Sequence, residues 1–305
     1  METKERVFRT SRKLGYRASK IKGVHHLCFA VLYGQSLPEE TLSMDPDVSI
    51  WEGVSRRAVE QDITLYTQNF LPKRESIQFA DLPRWIRRDQ CDGLVLLGTF
   101  YESLGVFLRE AKIPFVLAGN AETRFPVDQV RIDVEQGVYG LISELVRRGH
   151  RRFGFITMGA DLAVNRQFLR AFRGALEEHR LFDPKLVVTT DDPEPDGIQM
   201  ATSLLKRKKP PTLIFATTRR MANEAVFAAA RLGFEFDSGL EIATPHNDQY
   251  LRLGYPLHLV RSDLIGVGER AFDRLMQVVQ NPNQNTVSLT VACPPLIRPS
   301  RKSPE

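Results

Sequence analysis

Short apolar runs alternate with stretches whose apolar residues recur at helical spacing, over nearly all of the 305 residues. Leu27 to Tyr33 is continuously apolar, the pattern of a strand covered on both faces. Ile50, Val54 and Ala58 follow at intervals of four and fall on one helical face. Ile63 to Tyr66 reads as a strand, Leu82 to Arg88 as a helix and Asp92 to Leu97 as a strand. Leu104, Leu108 and Ala111 mark another helical face. Ile113 to Ala118 is the next strand, with Pro114 near its start, where a missing N–H is tolerated. Two polar stretches, Gln35 to Ser49 and Asn69 to Asp81, read as loops.

A second round begins after the polar connection Gly119 to Asp128, with Val130 to Ile132 extended. Val134 to Arg148 is helical and stops at Gly149, a residue suited to the left-handed turn that ends helices. Strand 153–157, helix 163–180, strand 186–188 and helix 198–206 come next. Pro210 and Pro211 break the chain before strand 212–216. Helix 219–232 ends at Gly233, and strands 240–243 and 257–260, helix 264–279 and strand 287–291 complete the round. Such alternation predicts an α/β protein with parallel sheets covered by helices on both faces. Two rounds predict two doubly wound lobes, with ligands bound outside the carboxyl ends of the strands, in the cleft between lobes.

Charge is unevenly spread. The first twenty-two residues hold eight basic and two acidic side chains, a balance of +6, against +5 for the whole chain, so the remainder sums to −1. The basic stretch also reads as a short helix, Thr3 to Leu14, stopped by Gly15. Taken alone it fits either a solvated terminus or an arm that meets a polyanion.

Candidate chemistry is sparse. Cys28, Cys91 and Cys293 lie far apart, an odd set that fits buried thiols in a reducing compartment. No stretch is apolar enough to span a membrane, and Leu27 to Leu32 is too short and too late for a secretory signal. The expected localisation is cytoplasmic. His25 and His26 adjoin the first strand, while His179, His246 and His258 read as isolated. No pair has metal-ligand spacing, and no phosphate loop or nucleophile elbow is present. No metal, cofactor, membrane partner or catalytic activity is expected.

One segment changes the picture. Leu145-Val-Arg-Arg-Gly-His-Arg-Arg-Phe-Gly-Phe-Ile156 resembles the most recognisable signature of the lac-repressor (LacI/GalR) family of bacterial transcription regulators. On their own, Arg151 and Arg152 would be solvated surface. The segments 92–96, 113–117, 132–137, 211–216, 221–222, 268–271 and 296–300 follow in that family's order and spacing, so the resemblance covers nearly the whole chain. It implies a periplasmic-binding-protein-like type I fold. The implied division is 23–133 with 261–285 as one lobe, and 134–260 with 286–305 as the other. Residues 1–22 are similar to the end of a helix-turn-helix headpiece and a shortened hinge. Val7 and Leu14 would be headpiece core, and Lys4, Arg6, Arg9, Tyr16 and Arg17 would lie near DNA phosphates, contacts that position without specifying sequence.

Two departures from the family stand out. The two helices that precede this one in the family, including the base-reading helix, would end before Met1, and only Ala18 to His26 separate Arg17 from the first strand. Either Met1 is an internal start or the chain is headless. In both cases the 305 residues should bind DNA weakly and with strong salt dependence.

The resemblance also implies a homodimer and a small effector. The family's effector-binding Arg aligns with Phe168, with Arg166 nearby, and its Asn-Asp pair aligns with Thr218 and Arg219. Its later acidic residue falls near Asn247 or Asp248, and Gly119 stands where an acid is frequent. Arg219 favours an anionic effector. A neutral sugar held differently, or a cleft without a ligand in which Phe168 only packs, stays open. The expected function is an effector-responsive repressor. The rivals are a stand-alone binding protein and, further off, an enzyme.

Overall fold

The computed structural model describes residues 6–7, 10, 28–33, 46–70, 77–88, 90–98, 100, 102–159, 163–190, 192, 196–234, 239–246 and 257–298. They belong to two units, Met1–Arg131 with Leu264–Val291 and Ile132–Asp263 with Ala292–Glu305. The first begins with β1 (Cys28–Tyr33), α1 (Pro46–Glu60), β2 (Thr64–Asn69), α2 (Arg84–Arg87), β3 (Gly93–Leu97), α3 (Glu102–Glu110), β4 (Phe115–Ala118) and β5 (Gln129–Ile132). The second holds α4 (Val134–Arg147), β6 (Phe153–Met158), α5 (Ala163–Glu178), β7 (Val187–Thr190), α6 (Gly197–Leu205), β8 (Leu213–Ala216), α7 (Arg219–Arg231), β9 (Glu241–His246) and β10 (Leu257–Arg261). The chain then returns to the first unit with α8 (Leu264–Gln280) and β11 (Ser288–Val291), and to the second with β12 (Pro295–Leu296).

The strand orders are β11-β5-β4-β3-β1-β2 and β12-β10-β9-β8-β6-β7. Pairing from β2 through β1, β3 and β4 to β5 is parallel, as it is from β7 through β6, β8 and β9 to β10. Only β12 is antiparallel to its neighbour among the registers defined here. Alternate residues of each strand serve opposite faces. In the first unit Leu94, Leu96, Phe115 and Leu117 meet Leu104, Phe107 and Leu108 of α3. The other face carries α8, whose Phe272 ring lies 5.3 Å from Phe29. In the second unit Ile156, Ile214, Ala216 and Ile242 pack on α6 and α7, while Phe155 and Phe215 meet Phe172 of α5.

The helix ends follow local chemistry. Asp133, Asp196 and Thr218 cap α4, α6 and α7 by accepting from Gln136 N, Gln199 N and Met221 N at 3.0, 2.9 and 3.2 Å. Gly149 has φ +100°, and the turn closes with His150 N donating to Leu145 O at 3.1 Å.

The structure departs from the sequence expectation at several places. Residues 46–49 are the first turn of α1 rather than loop, with Pro46 at a position where its missing N–H costs nothing. β2 runs on to Asn69 through polar Thr67 and Gln68, because its register with β1 continues to Tyr33↔Asn69 and, as an edge strand, it needs no apolar cover. The helix expected over 82–88 shrinks to α2. Residues 286–291, expected in the second lobe, belong to the first unit, with β11 next to β5. The cause is a buried ion pair. Asp128 Oδ1 accepts from Arg274 Nε at 2.7 Å and from Val287 N at 2.9 Å, while Arg274 Nη2 donates to Asn285 O at 2.8 Å. Those bonds fasten the segment after α8 to the start of β5.

Two glycines set the approach of α1 to α8. A Cβ on Gly53 would lie 2.0 Å from Ile265 O, and one on Gly268 would lie 1.9 Å from Ile50 O. The helices therefore meet backbone to backbone, and Gly268, a position singled out by resemblance, has a steric role. Ile50, Val54 and Ala58 are buried, as their spacing predicts.

Candidate functional site

Parallel pairing brings the carboxyl ends of β6, β8 and β9 to one edge of the second sheet, the usual ligand edge of open α/β folds. Thr217 Oγ1 donates to Thr157 Oγ1 at 2.8 Å, joining the ends of β8 and β6. Asn165, buried in the first turn of α5, donates to Met158 O at 2.6 Å and Gly159 O at 3.2 Å and holds the turn that leaves β6. α7 starts directly after β8, so Thr218 and Arg219 stand at this edge, both half-buried. Arg166, also half-buried, sits one turn into α5. Two helix amino ends and two guanidinium groups stand at this edge.

The expected site residues divide. Arg166, Thr218 and Arg219 occupy the edge. Phe168 is 4% exposed, with its ring 6.0 Å from that of Phe215 in the core of the second unit. An aromatic ring in this place completes the cluster with Phe155 and Phe172. Asn247 and Asp248 lie outside the described residues. Sequence reasoning missed Asn165, Thr157 and Thr217, because a buried Thr or Asn in an apolar segment carries no pattern of its own.

Of the basic arm, Lys4, Arg9, Tyr16 and Arg17 lie outside the described residues, as do Leu14 and Gly15. Arg6, Val7 and Thr10 are helical and exposed. Val7 is 61% exposed, so it is no core residue in this chain.

The signature segment turns out to be structural. His258, which reads as isolated, shares Glu241 with His150: both Nε2 atoms reach Glu241 Oε2, at 2.7 and 2.8 Å. Arg298 N donates to His258 Nδ1 at 3.2 Å, so that ring carries its proton on Nε2 and donates it to the carboxylate. Burial by itself would raise the Glu241 carboxyl, but the two histidine bonds outweigh it and hold the group well below the usual range. Nor are Arg151 and Arg152 merely solvated. Arg151 Nη1 donates to Val146 O at 2.8 Å, and Arg152 Nη2 to Lys209 O at 2.7 Å. This cluster ties the amino ends of β6, β9 and β10 to the 296–298 segment, away from the ligand edge.

Cys91 and Cys293 are buried thiols outside any disulfide, and burial pushes the Cys293 thiol up to about 11, which keeps it protonated. The side chain of Cys28 lies outside the described residues. Among the described residues no group of acidic, histidine or cysteine side chains could hold a metal ion, and no helix is long and apolar enough to cross a membrane.

Residues 142–300 match the periplasmic binding protein-like domain family. The chain belongs to that family, whose two-unit α/β fold it shares. Its relatives are regulators of the LacI type, in keeping with the resemblance of the signature segment. Catabolite control protein A of Priestia megaterium is 26% identical over 250 residues, covering 79% of this chain and 72% of that protein. A putative LacI transcriptional regulator from Bacillus cereus subsp. cytotoxis superposes with a TM-score of 0.78 at 22% identity, covering 92% of this chain and all of the other. The lac repressor dimer bound to operator and an anti-inducer superposes at 0.76 with 15% identity, over 96% and 97% of the two chains.

Proposed function

We propose that the protein is an effector-responsive, DNA-binding transcription regulator, a repressor acting as a cytoplasmic homodimer and not an enzyme. One observation carries this reading: similarity to a control protein extends over 79% of the chain and so through both units. The solved relative bound to operator is likewise a dimer that holds a small ligand, and two-fold operators suit dimers. The basic stretch Lys4, Arg6, Arg9, Tyr16 and Arg17 supplies phosphate contacts in this reading. A stand-alone binding protein has no use for it.

The effector site is the carboxyl edge of the second sheet, with Arg166, Thr218 and Arg219 as ligands, together with Asn247 and Asp248, which follow β9 in the sequence. Phe168 supports the site from the core. Arg219 at the amino end of α7 favours a ligand with an anionic group. Isothermal titration against sugars, sugar phosphates and nucleobases tests this. The expected result is a ligand whose affinity falls at least tenfold in Arg219→Ala, as loss of a charge-assisted bond predicts. A neutral sugar bound equally well by the parent and by Arg219→Ala would remove the anion from the reading. A ligand that leaves DNA affinity unchanged would remove the regulator, since coupling between the two sites is its defining property.

A further inference from the structure

We propose that the turn Lys206–Lys209 of the second unit, with Arg152 bonded to it and Lys185 at the same sheet edge, is a binding surface for the phosphate backbone of duplex DNA, separate from the N-terminal arm. The turn is Lys-Arg-Lys-Lys, and no other three consecutive residues of the chain are all Lys or Arg. The body of the protein beyond Lys22 is nearly neutral, so this concentration does not follow from general basicity. All four side chains are exposed, and none forms an ion pair with a described residue.

The fold adds to the run. Parallel pairing puts the amino ends of β6, β7 and β8 on one edge, in the registers Phe155↔Val187 and Phe153↔Leu213. Arg152 directly precedes β6, Lys185 lies two residues before β7 and Lys209 four residues before β8. Arg152 is held against the turn by Nη2 to Lys209 O at 2.7 Å and Nε to Pro210 O at 3.4 Å. Adjacent strands lie about 4.8 Å apart, so the amino ends of the three strands span about 10 Å. Duplex DNA presents one charge per ~1.7 Å of its axis, enough for several phosphates across that span.

Acids at the same edge are engaged elsewhere. Asp183 accepts from Lys185 N at 3.0 Å, and Glu241 is shared by His150 and His258. The turn carries no aromatic side chain on which unpaired bases could stack and no apolar residue to enter a membrane. Cations alone are what a duplex backbone needs.

The test is anisotropy of the full chain with a labelled 30-base-pair duplex of arbitrary sequence, between 50 and 200 mM salt. K206Q/R207Q/K208Q/K209Q is compared with the parent and with K206R/K208R/K209R, each of unchanged far-ultraviolet circular dichroism. The comparison is repeated in a K4Q/R6Q/R9Q/R17Q background. Failure of the arm, and of the operator reading with it, thus leaves the turn's share legible. The expected result is a slope of log affinity against log salt shallower by about 3 in the Gln variant, at ~0.9 per lost phosphate contact, and retained in the Arg variant. A slope within one unit of the parent in both backgrounds would overturn the proposal. So would intact duplex binding with lost binding of polyglutamate, which would assign the turn to an acidic polypeptide.

Discussion

Replacing Gly268 by Ala tests whether α1 and α8 meet backbone to backbone. The new Cβ would lie 1.9 Å from Ile50 O and 2.9 Å from Val54 N, where real Cβ contacts essentially never fall below 3.0 Å. The helices must separate by about 1.1 Å, because backbone atoms cannot rotate away as a side-chain tip can. Overpacking of this kind costs about 1–3 kcal/mol, occasionally more, and the better helix propensity of Ala returns about 1 kcal/mol. A net loss of up to about 2 kcal/mol is expected, a downward shift of up to about 1 M in a urea midpoint. The chain's two tryptophans, Trp51 and Trp85, both lie in the first unit, so their fluorescence follows the unit that carries the substitution. Gly53→Ala should behave alike, since its Cβ would meet Ile265 O across the same crossing. The double variant should cost less than the sum, because one separation accommodates both methyl groups. Gly174→Ala is the control. It lies in α5 of the second unit with nothing within 4 Å of its Cβ, and it should leave the tryptophan transition in place. A Gly268→Ala midpoint above the parent's would refute the close crossing.

Two further substitutions probe the buried polar groups. Arg274→Met leaves the Asp128 carboxylate buried without its partner and should destabilise the first unit by about 3–5 kcal/mol, with Asp128→Asn, Arg274→Met together costing less than Arg274→Met alone, as urea unfolding followed by tryptophan fluorescence would show. Glu241 has a depressed carboxyl, so its contribution is complete above the ordinary glutamate value of 4.5 and is lost as pH falls below it. Thermal unfolding followed by circular dichroism should therefore show the parent losing its advantage over Glu241→Gln between pH 5 and pH 3. Parallel pH profiles for the two proteins would contradict that origin of stability.

Local pattern carried much of the architecture. The continuous run 27–33, the four-residue spacing of Ile50, Val54 and Ala58, and Gly149 after an amphipathic helix each state their structure in neighbouring residues, because strand cover, helical faces and left-handed stops are short-range matters. The unit boundaries were less legible. Nothing near residues 284–287 shows that they belong with β5, since that depends on Arg274 reaching Asp128 across 146 positions of chain. The ligand edge was read in part. Thr218 and Arg219 follow an apolar strand and open a helix, which places them by pattern, whereas Phe168 could be assigned to core or site only once Phe215 was beside it.

The order of strands and helices, the concentration of positive charge in residues 1–22 and the Lys-Arg-Lys-Lys run were set by the sequence alone. Only the tertiary structure decided that His150 and His258 share one carboxylate, that β11 joins the first sheet, and that Arg152 is bonded to the basic turn. Periodicity reports which face a residue occupies; partners far apart in the chain are chosen by packing, and a buried charge or hydrogen bond is satisfied by whatever the fold brings to it.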